Sequence, residues 1–191
     1  MAAAEAKSYT AVAIALHWAI AISILALLPV GVIMGELENG NPWKFQLYQL
    51  HKSFGIVVLL LSVARLAWRF THPVPPLPDG MKAWERAAAR GAHVGFYGLI
   101  FLIPFTGWAM VSASPWNIPT KLFGVVPWPH IPIIKDLEDK RGAEEIFYIL
   151  HGYLAFAAIV LIVLHVGAAL KHHIINKDDV LIRMLPVLRR K

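Results

Sequence analysis

The chain has no cysteine among its 191 residues. That absence excludes a disulfide framework, a thiolate nucleophile, an iron–sulfur cluster and any Cys-based zinc site. Charge is scarce as well. Asp, Glu, Lys and Arg make up 16% of the chain against 58% hydrophobic residues, and the mean hydropathy is +0.58. Soluble domains carry about 25% charge, so an ordinary cytosolic enzyme, a disordered chain and a collagen-like repeat are all excluded. The formal net charge of +6 is the excess expected of a nucleic-acid binder. The long apolar runs point instead to membrane lipid as the surrounding medium, with no role for nucleic acid.

Four stretches reach the roughly 20 residues that a helix needs to cross a bilayer: 11–35, 48–70, 92–114 and 146–170. The first, third and fourth contain no Asp, Glu, Lys or Arg, and the second holds Lys52, Arg65 and Arg69 toward its ends. Backbone groups in lipid must be satisfied within the segment, so these spans are helices. Pro29 and Pro104 fall inside spans, where kinks are tolerated. The first run is longer than the 7–15 residues of a signal-peptide core and is read as a retained helix. The expected architecture is an all-α, four-transmembrane-helix bundle forming one domain over residues 1–191.

Lys and Arg set the orientation. The N-terminal tail, the connection 65–90 and the C-terminal tail hold 12 of the 18 basic residues, including Lys7, Arg189, Arg190 and Lys191, against five acids. The loops 36–52 and 114–145 hold the other six against seven acids. Both termini are therefore expected in the cytoplasm. The loop 115–145 contains Pro115, Pro119, Pro127, Pro129 and Pro132 with Trp116 and Trp128. Its tryptophans suit a membrane interface, and it is expected to fold over the outer face as a partial lid. The polar tail after Leu170 is expected to prolong the fourth helix and end near Pro186.

Nine histidines are many for so apolar a chain, and His17, His51, His93, His151 and His165 lie in or at the edge of spans. Ionisable groups at membrane depth are costly and mark functional sites that face the bundle interior. His151 and His165 are 14 residues apart in the fourth span, close to four helical turns. Both imidazoles thus share a face about 21 Å apart, which points to two centres stacked across the bilayer. By depth, His51 matches His151 at the outer end and His17 matches His165 at the inner end.

Two imidazoles from different helices in a dry bundle suit a b-type haem, giving two haem b groups with no C-x-x-C-H for covalent attachment. Gly55, Ala155, Ala168 and Ala169 are small residues that would admit a wide, flat group. His93 is the rival ligand at the inner end, and otherwise a partner for a propionate or quinone. Lys52 is placed for the propionates of the outer haem, and Arg65 and Arg69 for the inner. Snorkelling to the interface is the alternative for these long side chains. Zinc would want three or four clustered ligands, and no helix supplies a close trio. A proton-relay transporter would need Asp or Glu in the spans. Gly91 and Gly95 read as a helix-packing face. His72, His130, His172 and His173 read as interfacial.

The pattern resembles the bacterial cytochrome b561 family. The matching pieces are Leu16-His17-Trp18, His51-Lys52-Ser53-Phe54-Gly55 leading to Ala64-Arg65-Leu66, and His93 followed by Ile103-Pro104-Phe105-Thr106-Gly107. The fourth span adds His151-Gly152 and the run Leu164-His165-Val166-Gly167-Ala168-Ala169-Leu170-Lys171-His172-His173, and Leu181-Ile182-Arg183-Met184 lies downstream. The resemblance implies that His17, His51, His151 and His165 are the axial ligands of two haems b in a multi-pass protein of the bacterial cell inner membrane. It implies superoxide as electron donor at the periplasmic face and ubiquinone as acceptor. The alternative it carries is a cytochrome subunit that relays electrons from a hydrogenase or dehydrogenase partner to quinone. Neither six-coordinate haem would have an open site, so electrons would move without a bound ligand. Lys52, with Lys121 or Lys140, would steer the superoxide anion. Arg65, Arg69, His93, His172 and His173 would lie where quinone takes up protons.

Overall fold

The computed structural model describes residues 8–188. Lys7, Arg189, Arg190 and Lys191, counted above on the terminal side, lie outside the described residues. Four long helices dominate: α1 (Ala11–Glu36), α2 (Pro42–Thr71), α3 (Ala83–Ala113) and, after a short α4 (Pro132–Lys135), α5 (Lys140–Lys171). All four long helices are apolar and long enough to cross a membrane.

Their starts are set by local chemistry. Thr10 caps α1 by accepting from the Ala13 N–H at 3.2 Å, and Asn41 caps α2 by accepting from the Trp43 N–H at 3.0 Å with Pro42 next in line. The Glu85 carboxylate accepts from the Lys82 N–H at 3.1 Å at the start of α3. Asp139 caps α5 by accepting from the Gly142 N–H at 2.9 Å. These caps explain why α2, α3 and α5 begin six to nine residues before the apolar runs at 48, 92 and 146. A polar first turn is invisible to hydropathy, whereas a side-chain oxygen that satisfies an orphan N–H starts the helix there.

Helix α1 packs on α2, α2 on α3, and α3 on α5. The buried interior is made of small residues, with Ser53, Ser62, Ala109, Ser112 and Ala113 nearly inaccessible, and a knot of Ile20, Val58 and Ile100 joins the first three helices. Large apolar side chains such as Ile22, Val32, Phe156, Val163 and Leu164 face outward. This is the distribution expected in lipid, where burying a leucine between helices gains little and small residues let backbones approach. Serine hydroxyls return to the carbonyl four residues back: Ser62 donates to Val58 and Ser112 to Trp108.

The loop between α3 and α5 does fold back over one end of the bundle, but with structure of its own. Strands β1 (Thr120–Leu122) and β2 (Val126–Trp128) pair antiparallel, Thr120 opposite Trp128. The turn between them places Phe123 at φ 51° and Gly124 at φ 77°. Hydrogen bonds from α2 and α3, two of them through the buried Ser53 and Ser112 hydroxyls, bolt this loop down. The Phe123 N–H donates to Ser53 Oγ at 3.0 Å, Gln49 Nε2 to the Pro119 carbonyl at 3.3 Å, Trp108 Nε1 to the Pro129 carbonyl at 2.8 Å, and the Ile131 N–H to Ser112 Oγ at 2.9 Å. A purely helical reading of the chain misses these six strand residues.

At the opposite end the start of α1 meets the segment that follows α5. The fourth helix does not run on toward Pro186. It passes into a π-helical turn (His172–Asn176) and stops where Lys177 turns left-handed at φ 55°. The tail then folds against the bundle, with Trp18 Nε1 donating to the Met184 carbonyl at 2.7 Å and Arg183 bonded to Asp179 and to the Pro76 carbonyl. Lys171 pairs with Glu85 and lies 6.0 Å from the Trp84 ring, tying α5 to α3.

Candidate functional site

Helix α5 leans on α3 and makes no comparable backbone contact with α1 or α2. Its two histidines nevertheless face histidines on those more distant helices. At the hairpin end the His51 and His151 rings lie with centroids 6.2 Å apart and planes at 72°. At the terminal end His17 and His165 lie 6.4 Å apart at 66°. All four are half-buried. Among the described residues no three His, Asp or Glu side chains cluster as a metal site, so each centre is a facing pair.

The hairpin-end pair is shaped by backbone. His151 Nδ1 lies 2.9 Å from the Ile103 carbonyl and 3.2 Å from Thr106 Oγ1. A carbonyl oxygen only accepts, so Nδ1 carries the proton and Nε2 holds the free lone pair. Two glycines make room for the rings. A Cβ at Gly107 would stand 3.1 Å from His151 Cε1, and one at Gly31 would stand 3.3 Å from His51 Cε1. Neither glycine stands out from spacing, because both belong to other helices, α3 and α1, than the rings they admit. Gly55, selected from the sequence as a spacer, would place its Cβ against nothing within 4 Å. Gly95 does meet α5, its Cβ position lying 3.3 Å from Leu161, as a packing face would.

The terminal-end pair is shaped by side chains. Phe96 meets His165 edge-on at 5.1 Å and Trp18 meets His17 at 5.3 Å. His93 lies within electrostatic reach of His165, His17, Arg65 and Arg69. Arg65 donates to the Ala13 carbonyl at 3.0 Å, bracing α2 against α1, and Arg69 lies 5.9 Å over the Tyr97 ring. Both arginines open onto a cleft that Tyr9, Trp68, His72 and Tyr97 also line. His72 stacks on Trp68 at 3.8 Å. His172 is buried, unlike an interfacial residue, and bonds Asp178 at 2.5 Å. His173 follows it in the π turn.

Lys52 is half-buried beside His51. His130, from the loop before α4, sits near it. Burial pushes the His130 imidazole below its ordinary value, and the Lys52, Lys135 and Lys140 cations push it the same way. These three lysines thus share the electrostatic neighbourhood of His130. Lys121 lines a separate groove with Phe45 and Gln49.

The chain matches the family model for prokaryotic cytochrome b561 over residues 8–187. This protein belongs to the prokaryotic cytochrome b561 family. It is 36% identical over 180 residues to cytochrome b561 homolog 2 of Escherichia coli K12, covering 94% of this chain and 92% of that one. It is 30% identical over 188 residues to the probable superoxide oxidase CybB of Yersinia pestis, covering 96% and 98%. Cytochrome b561 homolog 1 of Escherichia coli K12 is 28% identical over 176 residues, covering 92% and 94%. Family membership makes the protein an integral membrane electron-transfer protein and implies haem b.

The residues present fit that group. A metal–imidazole bond of about 2.0–2.1 Å puts each ring centroid roughly 3 Å from the metal, so two imidazoles facing across one metal have centroids roughly 6 Å apart. Both pairs show that separation. The Ile103 carbonyl supplies the second hydrogen bond that metal-bound histidines make through their other nitrogen.

Proposed function

We propose that this cytochrome holds two haems b, one between His51 and His151 and one between His17 and His165. In this reading it oxidises superoxide at the periplasmic face of a bacterial inner membrane and delivers the electrons to ubiquinone near the cytoplasm. The observation that carries the reading is the repetition of one geometry, a facing histidine pair, at both ends of the same helix α5. Haem b between two imidazoles supplies one-electron exchange without an open coordination site.

The chain's own residues do the rest. Gly31 and Gly107 clear the space beside the hairpin-end rings. The Ile103 carbonyl orients His151. Lys52, Lys135 and Lys140 attract a small anion by a local field, which raises its encounter rate. At the terminal end, Arg65 and Arg69 give the cleft positive charge for propionates or for the developing charge on a quinone head group. His93, within electrostatic reach of both rings, serves as the proton carrier of this end. His172, held by Asp178, and His173 lie farther along the π turn. The balance is two superoxide anions giving two dioxygen molecules while quinone takes up two electrons and two protons. The name of the Yersinia relative supports superoxide as donor. A protein partner is not needed in this reading.

The test is a reduced-minus-oxidised optical spectrum with a haem count on the purified protein, followed by addition of superoxide and then quinone. Two b haems per chain and quinone reduction by superoxide, without another subunit, support the proposal. Two haems with no turnover would favour the relay alternative, in which a dehydrogenase or hydrogenase supplies the electrons. A colourless protein would remove both.

A further inference from the structure

The two histidines at the hairpin end are not equivalent. Among the described residues His51 Nδ1 is buried with no hydrogen-bond partner, whereas His151 Nδ1–H is shared between the Ile103 carbonyl and Thr106 Oγ1. Thr106 is 2% exposed and lies seven residues before the end of α3. Its hydroxyl also lies 2.8 Å from the Leu102 carbonyl and 2.9 Å from that of Ile103. A hydroxyl has one proton and two lone pairs. Its proton goes to a carbonyl of its own helix, which leaves a lone pair facing the imidazole N–H. The next residue, Gly107, is the one whose missing Cβ lets the ring come this close. Adjacent positions in α3 therefore do complementary work: Gly107 clears the space and Thr106 supplies the second acceptor.

Resting on the two-haem reading, we propose that Thr106 is a positioning residue that acts through His151 on the reduction potential of the hairpin-end haem. Drawing the Nδ1 proton toward an acceptor makes the opposite nitrogen a stronger donor. Hydrogen bonding behind an axial ligand is one of the levers by which a protein sets haem potential. A more basic imidazole favours the oxidised iron, so the native contact lowers the potential at this end. Among the described residues His51 Nδ1 has no such acceptor, so α3 acts on the potential through His151. A purely structural threonine, satisfied by Leu102 four residues back, would have no such effect.

The experiment is a spectroscopic redox titration of the purified holoprotein as wild type, Thr106→Val, Thr106→Cys and Thr106→Ser. The His17→Ala variant retains only the hairpin-end wave and so assigns it. The expected result is two haems in Thr106→Val, a hairpin-end midpoint shifted upward, an unchanged terminal-end midpoint, and restoration in Thr106→Ser. An unmoved hairpin-end midpoint, an equal shift at both ends, or a serine variant shifted as far as valine would overturn the proposal. If Thr106→Val does not assemble, cysteine takes its place as a weaker acceptor of similar size, and its midpoint must lie above that of serine. A wild type without a hairpin-end haem would instead overturn the functional reading beneath it.

Discussion

The two histidine pairs share a centroid separation and differ in what surrounds them. At the hairpin end the rings lie against glycines of α1 and α3, one ring is bonded to a helix carbonyl, and the hairpin is bonded to Ser53, two residues from His51. At the terminal end the rings lie among Phe96, Trp18, His93 and two arginines beside a cleft. One end is built by close backbone approach and the other by side chains. A backbone-walled site tolerates little added volume, while a side-chain-walled one can adjust by rotamer but depends on charge. In the proposed function this contrast matches rigid holding at the hairpin end with proton and acceptor chemistry at the terminal end.

The largest effect should come from the ligands. His51→Ala or His151→Ala should remove the hairpin-end haem alone, and His17→Ala or His165→Ala the other alone, read as a drop from two haems per chain to one. Loss of a haem only on changing His93 would break the pairing. Next come the glycines. Gly107→Ala places a methyl 3.1 Å from the His151 ring and Gly31→Ala one 3.3 Å from His51, so both should lower hairpin-end occupancy, Gly107→Ala more. The terminal-end spectrum should not change, and equal loss at both ends would erase the distinction.

Charge reversal should act on rate without touching haem content. Lys52→Glu should slow reaction with superoxide by roughly tenfold at low salt and less at high salt, as expected of electrostatic steering. Stopped-flow decay at two ionic strengths reads this, and a salt-independent rate would remove Lys52 from the encounter. The smallest effect concerns His130. Its pKa is held down by burial and by Lys52, Lys135 and Lys140, so the unfolded chain binds a proton there more readily than the native one. Its contribution is intact above the unfolded value of about 6.5 and is lost as pH falls below it. Thermal melts at pH 7 and pH 5 should show a smaller acid penalty for His130→Gln than for wild type.

The four spans were legible in the sequence because lipid imposes a hydropathy that needs no tertiary information. The depths of His17, His51, His151 and His165 were legible too, since the rise per residue of a helix converts position into height. Helix starts were less so, because capping at Asn41, Glu85 and Asp139 extends each helix into polar sequence. The roles of Gly31 and of Gly107, the latter already part of a quoted motif, were out of reach: a glycine's use depends on which side chain of another helix arrives opposite it. The hairpin of β1 and β2 and the burial of His172 against Asp178 likewise depend on contacts between distant or turning segments.

Composition and periodicity by themselves determined that this chain has four helices long and apolar enough to cross a membrane, with histidines at two heights, because solvent and helix geometry act on each segment alone. Only the tertiary structure decided which nitrogen of His151 is free, which glycines stand against the rings, and which lysines share the electrostatic neighbourhood of His130. Those features arise where separate segments meet, and no segment carries the coordinates of its neighbour.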